Sequence, residues 1–165
     1  MRHARMPRVY GRGVLSRGFL GFGLLGLAIA AGCTQRPPPF ITNDKSLRKP
    51  STELAAESVK RFPYKSDAER GGEAVARAQV GNTANWMEIV NLSDEDWSDV
   101  EIWINKSWVV HLPAMERTKL KRIPFSAIFN DAGQSFPKST KVARMEIVEV
   151  YHGGKMYDVR LQLAD

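Results

Sequence analysis

One cysteine, Cys33, stands in the whole chain of 165 residues. A disulfide within the chain is thereby excluded, as is a metal site built on several thiolates. Histidine is scarce too, with His3, His111 and His152 the only three. None sits in an HExxH pattern, no serine occupies a nucleophile elbow, and there is no Walker loop or GxGxxG run. The carboxylates show no spacing that marks out an acid–base pair. These absences argue against an enzyme and against a bound cofactor. A long apolar run is missing as well. The stretch Phe19–Ala31 is shorter than the about 20 residues a spanning helix needs, and Gly21, Gly23 and Gly26 loosen it.

The basic excess is misleading. Lys and Arg number 24 against 18 Asp and Glu, a net of +6. Residues 1–32 hold five arginines (Arg2, Arg5, Arg8, Arg12, Arg17) and no acid, so the rest of the chain carries 19 basic against 18 acidic groups. The basic footprint of a nucleic-acid binder is absent from the part that folds, and no nucleic-acid partner is expected.

What is present is a grammar of export. A basic start, an apolar middle and the small residues Ala30-Ala31-Gly32 make a secretory signal. With Cys33 directly after them, the segment resembles the signal of bacterial lipoproteins. That resemblance implies cleavage before Cys33, lipidation of its thiol with palmitate-type chains, and permanent membrane attachment without a spanning helix. Each buried methylene adds about 0.8 kcal/mol, so two or more chains anchor stably. Thr34, where an Asp commonly retains such proteins at the inner membrane, implies the outer one. An ordinary signal peptide with a free thiol is the alternative, although an unpaired thiol suits an oxidising compartment poorly. Met1 and Met6 are both open as the starting residue.

The chain therefore divides into a signal peptide, 1–32; a lipidated Cys33 with a flexible linker and short helix, 33–74; and a β domain, 75–165. Pro37-Pro38-Pro39 favours extended polyproline geometry, and Thr34–Pro50 reads as a tether. The spacing predicts a helix over Ser51–Phe62, capped by Ser51 or Thr52, with Ala55, Val59 and Phe62 on one face and Pro63 as its stop. Tyr64–Gly72 reads as a polar connector.

Beyond Val75 the period changes to two. Val100, Ile102 and Ile104 alternate with Glu101, Trp103 and Asn105, the mark of a half-buried strand. Trp108, Val110 and Leu112 repeat the phase after a turn at Asn105-Lys106-Ser107. Further strands are predicted over Val75–Val80, Asn85–Leu92, Arg117–Phe125, Val142–Tyr151 and Met156–Leu163, the last two joined by Gly153-Gly154 in a tight hairpin. About seven short strands describe an all-β, antiparallel, immunoglobulin-like β-sandwich, with a small open barrel as the second choice. Residues 91–100, with Gly133–Pro137, also resemble uncharacterised immunoglobulin-like modules of bacterial envelope proteins, a resemblance that implies no function.

Three groups of residues are candidate sites. Asp94, Asp96 and Ser98 have the 1, 3, 5 spacing of a calcium loop, but the sixth position is Asp99 rather than Gly and the twelfth is Asn105 rather than Glu. A solvated turn explains them equally well. Of Trp86, Trp97, Trp103 and Trp108, the pattern turns Trp103 outward, where with Trp97 it would stack on a sugar or anchor a partner. The bland reading is that Trp103 lies beneath the linker or the helix. Arg117, Lys119, Lys121 and Arg122 would meet an anionic glycan or lipid, or simply be the solvent face of an edge strand.

The sequence thus points to a non-catalytic envelope lipoprotein presenting its β domain to another envelope protein or serving a structural role. The alternative is a carbohydrate-binding module using Trp97 and Trp103. A further option is an assembly factor accepting a partner's strand at an open sheet edge.

Overall fold

Gly153 and Gly154, at φ +56° and +83°, form the turn that joins strands β6 (Val148–His152) and β7 (Lys155–Ala164), the tight hairpin the Gly-Gly pair predicts. Asn105 and Lys106, also at positive φ, turn β3 (Trp97–Ile104) into β4 (Trp108–Met115). The computed structural model describes residues 42–81, 85–138 and 144–164. Cys33, the signal segment and the triple proline lie outside the described residues.

The remaining strands are β1 (Glu69–Gly81), β2 (Trp86–Asn91) and β5 (Leu120–Pro124). All seven form one sheet in the order β4-β3-β6-β7-β1-β2-β5. The described residues are therefore mostly β with seven strands, as the alternation predicts. The expectation of a purely antiparallel arrangement in separate sheets is corrected in two respects. Strand β1 runs parallel to β7, and it also pairs antiparallel with β2, so one continuous mixed sheet results.

Two irregularities let β1 do this. Its register against β7 slips between Arg70 and Gly72, and again between Glu73 and Arg77, where three β1 residues pass the single Val159. Bulges bend a strand and increase its twist. The end strands β4 and β5 are consecutive in the chain, linked by Glu116–Lys119, so the bent sheet is nearly closed. Inside the curve lies the core: Val100, Ile102, Ile104, Leu112, Ile89, Met87 and Val150 are fully buried.

Both free edges are covered. On β4, Val109 exchanges two backbone hydrogen bonds with Phe129 (2.8 and 3.0 Å). On β5, side chains replace a strand: Thr42 Oγ1 donates to Arg122 O (2.6 Å), Asn43 Nδ2 donates to Leu120 O (2.6 Å), and Arg122 N donates to Asn43 Oδ1 (2.8 Å). Residues 42–50, predicted as tether, thus lie along the sheet from Thr42 onward. Asp44 caps a 3-10 turn (Lys45–Leu47) by accepting from Ser46 N, and Leu47 enters the core. The helix α1 forms over Ser51–Val59, shorter than predicted, with Pro50 rather than a hydroxyl at its cap. Leu54 and Ser58 are its buried residues, and Val59 is exposed, so the predicted Ala55/Val59/Phe62 face is corrected. Among the described residues no helix is long and apolar enough to cross a membrane.

Candidate functional site

The convex face of the sheet holds the chemistry, and it is divided in two. Over β3, β6 and the start of β7 lies the segment that follows α1. Phe62 and Tyr64 meet the Trp103 indole edge-on, at centroid distances of 5.1 and 5.2 Å. Trp103, Val109 and Met156 are fully buried beneath Phe62, Tyr64, Ala68 and Tyr151. The outward expectation for Trp103 is therefore corrected. Period-2 spacing gave the right face of β3, but the connector covers that face.

Two buried carboxylates fasten the cover. Glu101 accepts from the Trp103 indole (Nε1 to Oε2, 3.1 Å) and pairs with Lys65 and with Arg61 (3.4 Å). Glu149 accepts from the Tyr64 hydroxyl (2.8 Å) and from Arg70 Nη1 (2.8 Å), while Arg70 Nη2 reaches Asp158 (2.7 Å). Burial, then the Glu149 carboxylate, push the Tyr64 phenol up to about 12. The hydrogen bond that Arg70 donates to Glu149 raises Arg70 above its ordinary range. A buried carboxylate needs such donors, because an unpaired charge there is costly. These groups are occupied with one another, and their arrangement is that of a clamp.

At the rim of the clamp, Asp99 at φ +49° accepts from His111 Nε2 (2.7 Å) and pairs with Arg61 (3.3 Å). The His111 contact holds the Asp99 carboxyl below its usual range, against a smaller opposing effect of burial. Among the described residues neither His111 nor His152 is hydrogen-bonded to a hydroxyl nucleophile.

Trp97 is also buried. Its indole stacks on His152 (4.3 Å, 15°), and His152 stacks in turn on Tyr157 (4.8 Å, 19°). Burial lowers the His152 imidazole, with Glu95 acting weakly the other way. Neither Trp97 nor Trp103 offers a free ring face to a sugar.

The acidic loop does not converge. Asp94 is exposed, Asp96 accepts from Arg117 N (2.7 Å), and Asp99 turns to His111. Its organiser is the fully buried Asn91, which donates to Glu95 O and Met115 O and accepts from Ser93. Among the described residues no group of three or more His, Cys, Asp or Glu is placed to hold a metal. The basic cluster is likewise dispersed. Lys121 lies between Asp44 (2.8 Å) and Glu116 (2.6 Å), and Arg122 pairs with Glu88 (2.7 Å). Burial alone would lower Lys121, but those two carboxylates raise it.

The other half of the convex face, over β1, β2, β5 and the end of β7, has no cover among the described residues. Its side chains follow from the register: Arg160, Arg77, Val90 and Leu120 form one cross-strand row, and Val75 stands beside Leu92. Val75 is 60% exposed, Leu92 48% and Leu120 44%. Trp86 closes the row below, with the Arg122 guanidinium 5.1 Å from its ring centroid. Local periodicity does not reveal this surface, because its apolar members come from separate strands.

Comparison of the chain with protein-family models, with curated proteins and with solved structures gives no match.

Proposed function

We propose that this is a lipid-anchored, non-catalytic protein of a bacterial envelope, whose β domain is a module for protein interaction or for a structural role. The observation that carries the reading is the placement of Cys33. It follows Ala30-Ala31-Gly32 and precedes, by nine residues, Thr42, which is bonded to the β5 edge. Such a spacing gives a short leash, and Thr34 favours the outer membrane. The buried charges support a non-catalytic role, since Glu101 and Glu149 are engaged in fastening residues 61–70 to the sheet and Asp44 in capping its turn and pairing with Lys121.

Two rival readings lose support. Glycan binding requires a free tryptophan platform, and both candidates are buried. Strand acceptance requires an open edge, and the β4 and β5 edges are both engaged. The finer fold is read as immunoglobulin-like: β4-β3-β6-β7 correspond to the four-stranded face and β1-β2-β5 to the other, with β1 continuous between them.

The test is mass spectrometry of the mature protein taken from membranes, beside a Cys33→Ser variant. An acylated N-terminal Cys33, with the variant lost from the membrane fraction, is expected. An intact leader or an unmodified thiol would overturn the reading.

A further inference from the structure

We infer that the uncovered half of the convex face, over β1, β2, β5 and the end of β7, rests on the bilayer itself and binds anionic phospholipid headgroups. This rests on the lipid-anchor reading above and goes beyond it by assigning an orientation.

Three observations converge. The first is where the leash leaves the domain. Thr42 and Asn43 are bonded to β5, the strand at the margin of this face, and not to the clamped half. Thr42 follows Cys33 by nine positions, and a chain extends at most about 3.3–3.6 Å per residue, about 30 Å in all. From β5 to β7 there are three inter-strand steps, about 14 Å at the usual spacing. A leash of that reach permits the face to lie flat on the bilayer.

The second is composition. Val75, Leu92 and Leu120 are the exposed aliphatics, and Trp86 is the half-exposed aromatic. Tryptophan with aliphatic neighbours suits the boundary between headgroups and acyl chains. The third is charge. Arg77, Arg122 and Arg160 stand on this face against Glu88 and Glu73, which pair with Arg122 (2.7 Å) and Arg160 (3.0 Å). Among the described residues Arg77 pairs with no carboxylate, and it is set directly across from Arg160, a like-charge juxtaposition that is unfavourable by itself. A phosphate between the two guanidinium groups would relieve it, since arginine matches phosphate geometry in two-pronged fashion.

The experiment uses the mature lipidated protein in vesicles of phosphatidylcholine with and without phosphatidylglycerol. With Cys33 acylated, Val75→Cys supplies the sole free thiol for a spin label, and Asp131→Cys, at an exposed turn beside the clamped half, supplies the reference. We expect the label at 75 to be several-fold less accessible than that at 131 to a water-soluble relaxant, with the difference enlarged by phosphatidylglycerol. Adding Arg77→Glu is expected to reduce that enlargement about five-fold. Equal accessibility at 75 and 131 on an acylated protein overturns the orientation and leaves the anchor standing. Protection that ignores lipid charge overturns it too, in favour of a second copy or the chain's own residues. An unmodified Cys33 in the same sample removes anchor and orientation together.

Discussion

The Trp103 indole donates its Nε1 proton to Glu101 Oε2 at 3.1 Å, two residues back along the same strand, and both side chains are buried. One strand thereby presents an aromatic anchor and the acceptor that ties it, and Phe62, Tyr64 and Lys65 close over both. Trp103→Ala removes the anchor, and large-to-small changes of this kind cost about 3–5 kcal/mol. Trp103→Phe keeps an aromatic ring but withdraws the donor, and a loss nearer 1–2 kcal/mol is expected. Urea midpoints of the two variants measure the difference. Equal midpoints for wild type and Trp103→Ala would show that residues 62–68 do not cover the sheet.

The same pair marks how far the sequence could be read. Alternation placed Val100, Ile102 and Ile104 inward, and all are fully buried. The turn at Asn105-Lys106-Ser107 and the Gly153-Gly154 hairpin were legible because positive φ selects few residues. Periodicity, however, reports only which face a side chain takes. Whether a distant segment covers that face depends on contacts between residues such as Tyr64 and Glu149, 85 positions apart. The parallel pairing of β1 with β7 was hidden for a like reason. Its two bulges sit at residues that look, locally, like a polar connector running into an ordinary strand.

His152 sets a pH dependence whose sign is fixed. Burial between Trp97 and Tyr157 lowers its folded-state pKa below the ordinary value. The unfolded chain therefore binds a proton first, and the folded state is penalised as pH falls below about 6.5. Above that value the group makes no difference to stability. We expect the melting temperature to decline between pH 7 and 5, and His152→Phe, which keeps a stacked ring, to flatten that part of the profile. Parallel profiles for wild type and variant would be the contrary result.

Thr42 and Asn43 stand in for an eighth strand. Between them they satisfy backbone groups of Leu120 and Arg122 through three hydrogen bonds, each worth about 1 kcal/mol net. The double variant Thr42→Ala, Asn43→Ala is expected to lose about 2–3 kcal/mol. It should also self-associate, because an unprotected edge is a template for another chain. Chemical denaturation and light scattering on the same sample read the two effects. A destabilised variant that stays monodisperse would show that the neighbouring Lys121 and Arg122 guard the edge without help.

Gly71 is required by its neighbour. A Cβ there would lie 2.0 Å from Cε1 of Tyr157. That ring cannot swing aside freely, being stacked at 4.8 Å on His152, which is itself stacked on Trp97. Gly71→Ala should therefore cost about 1–3 kcal/mol, as overpacking does. Combining it with Tyr157→Ala removes the obstruction, so the pair should be less destabilised than the sum of the single variants. Additive effects in that cycle would mean that the β1 bulge at Gly71 gives way to accommodate the methyl group, and that its close approach to the aromatic stack is not what keeps glycine there.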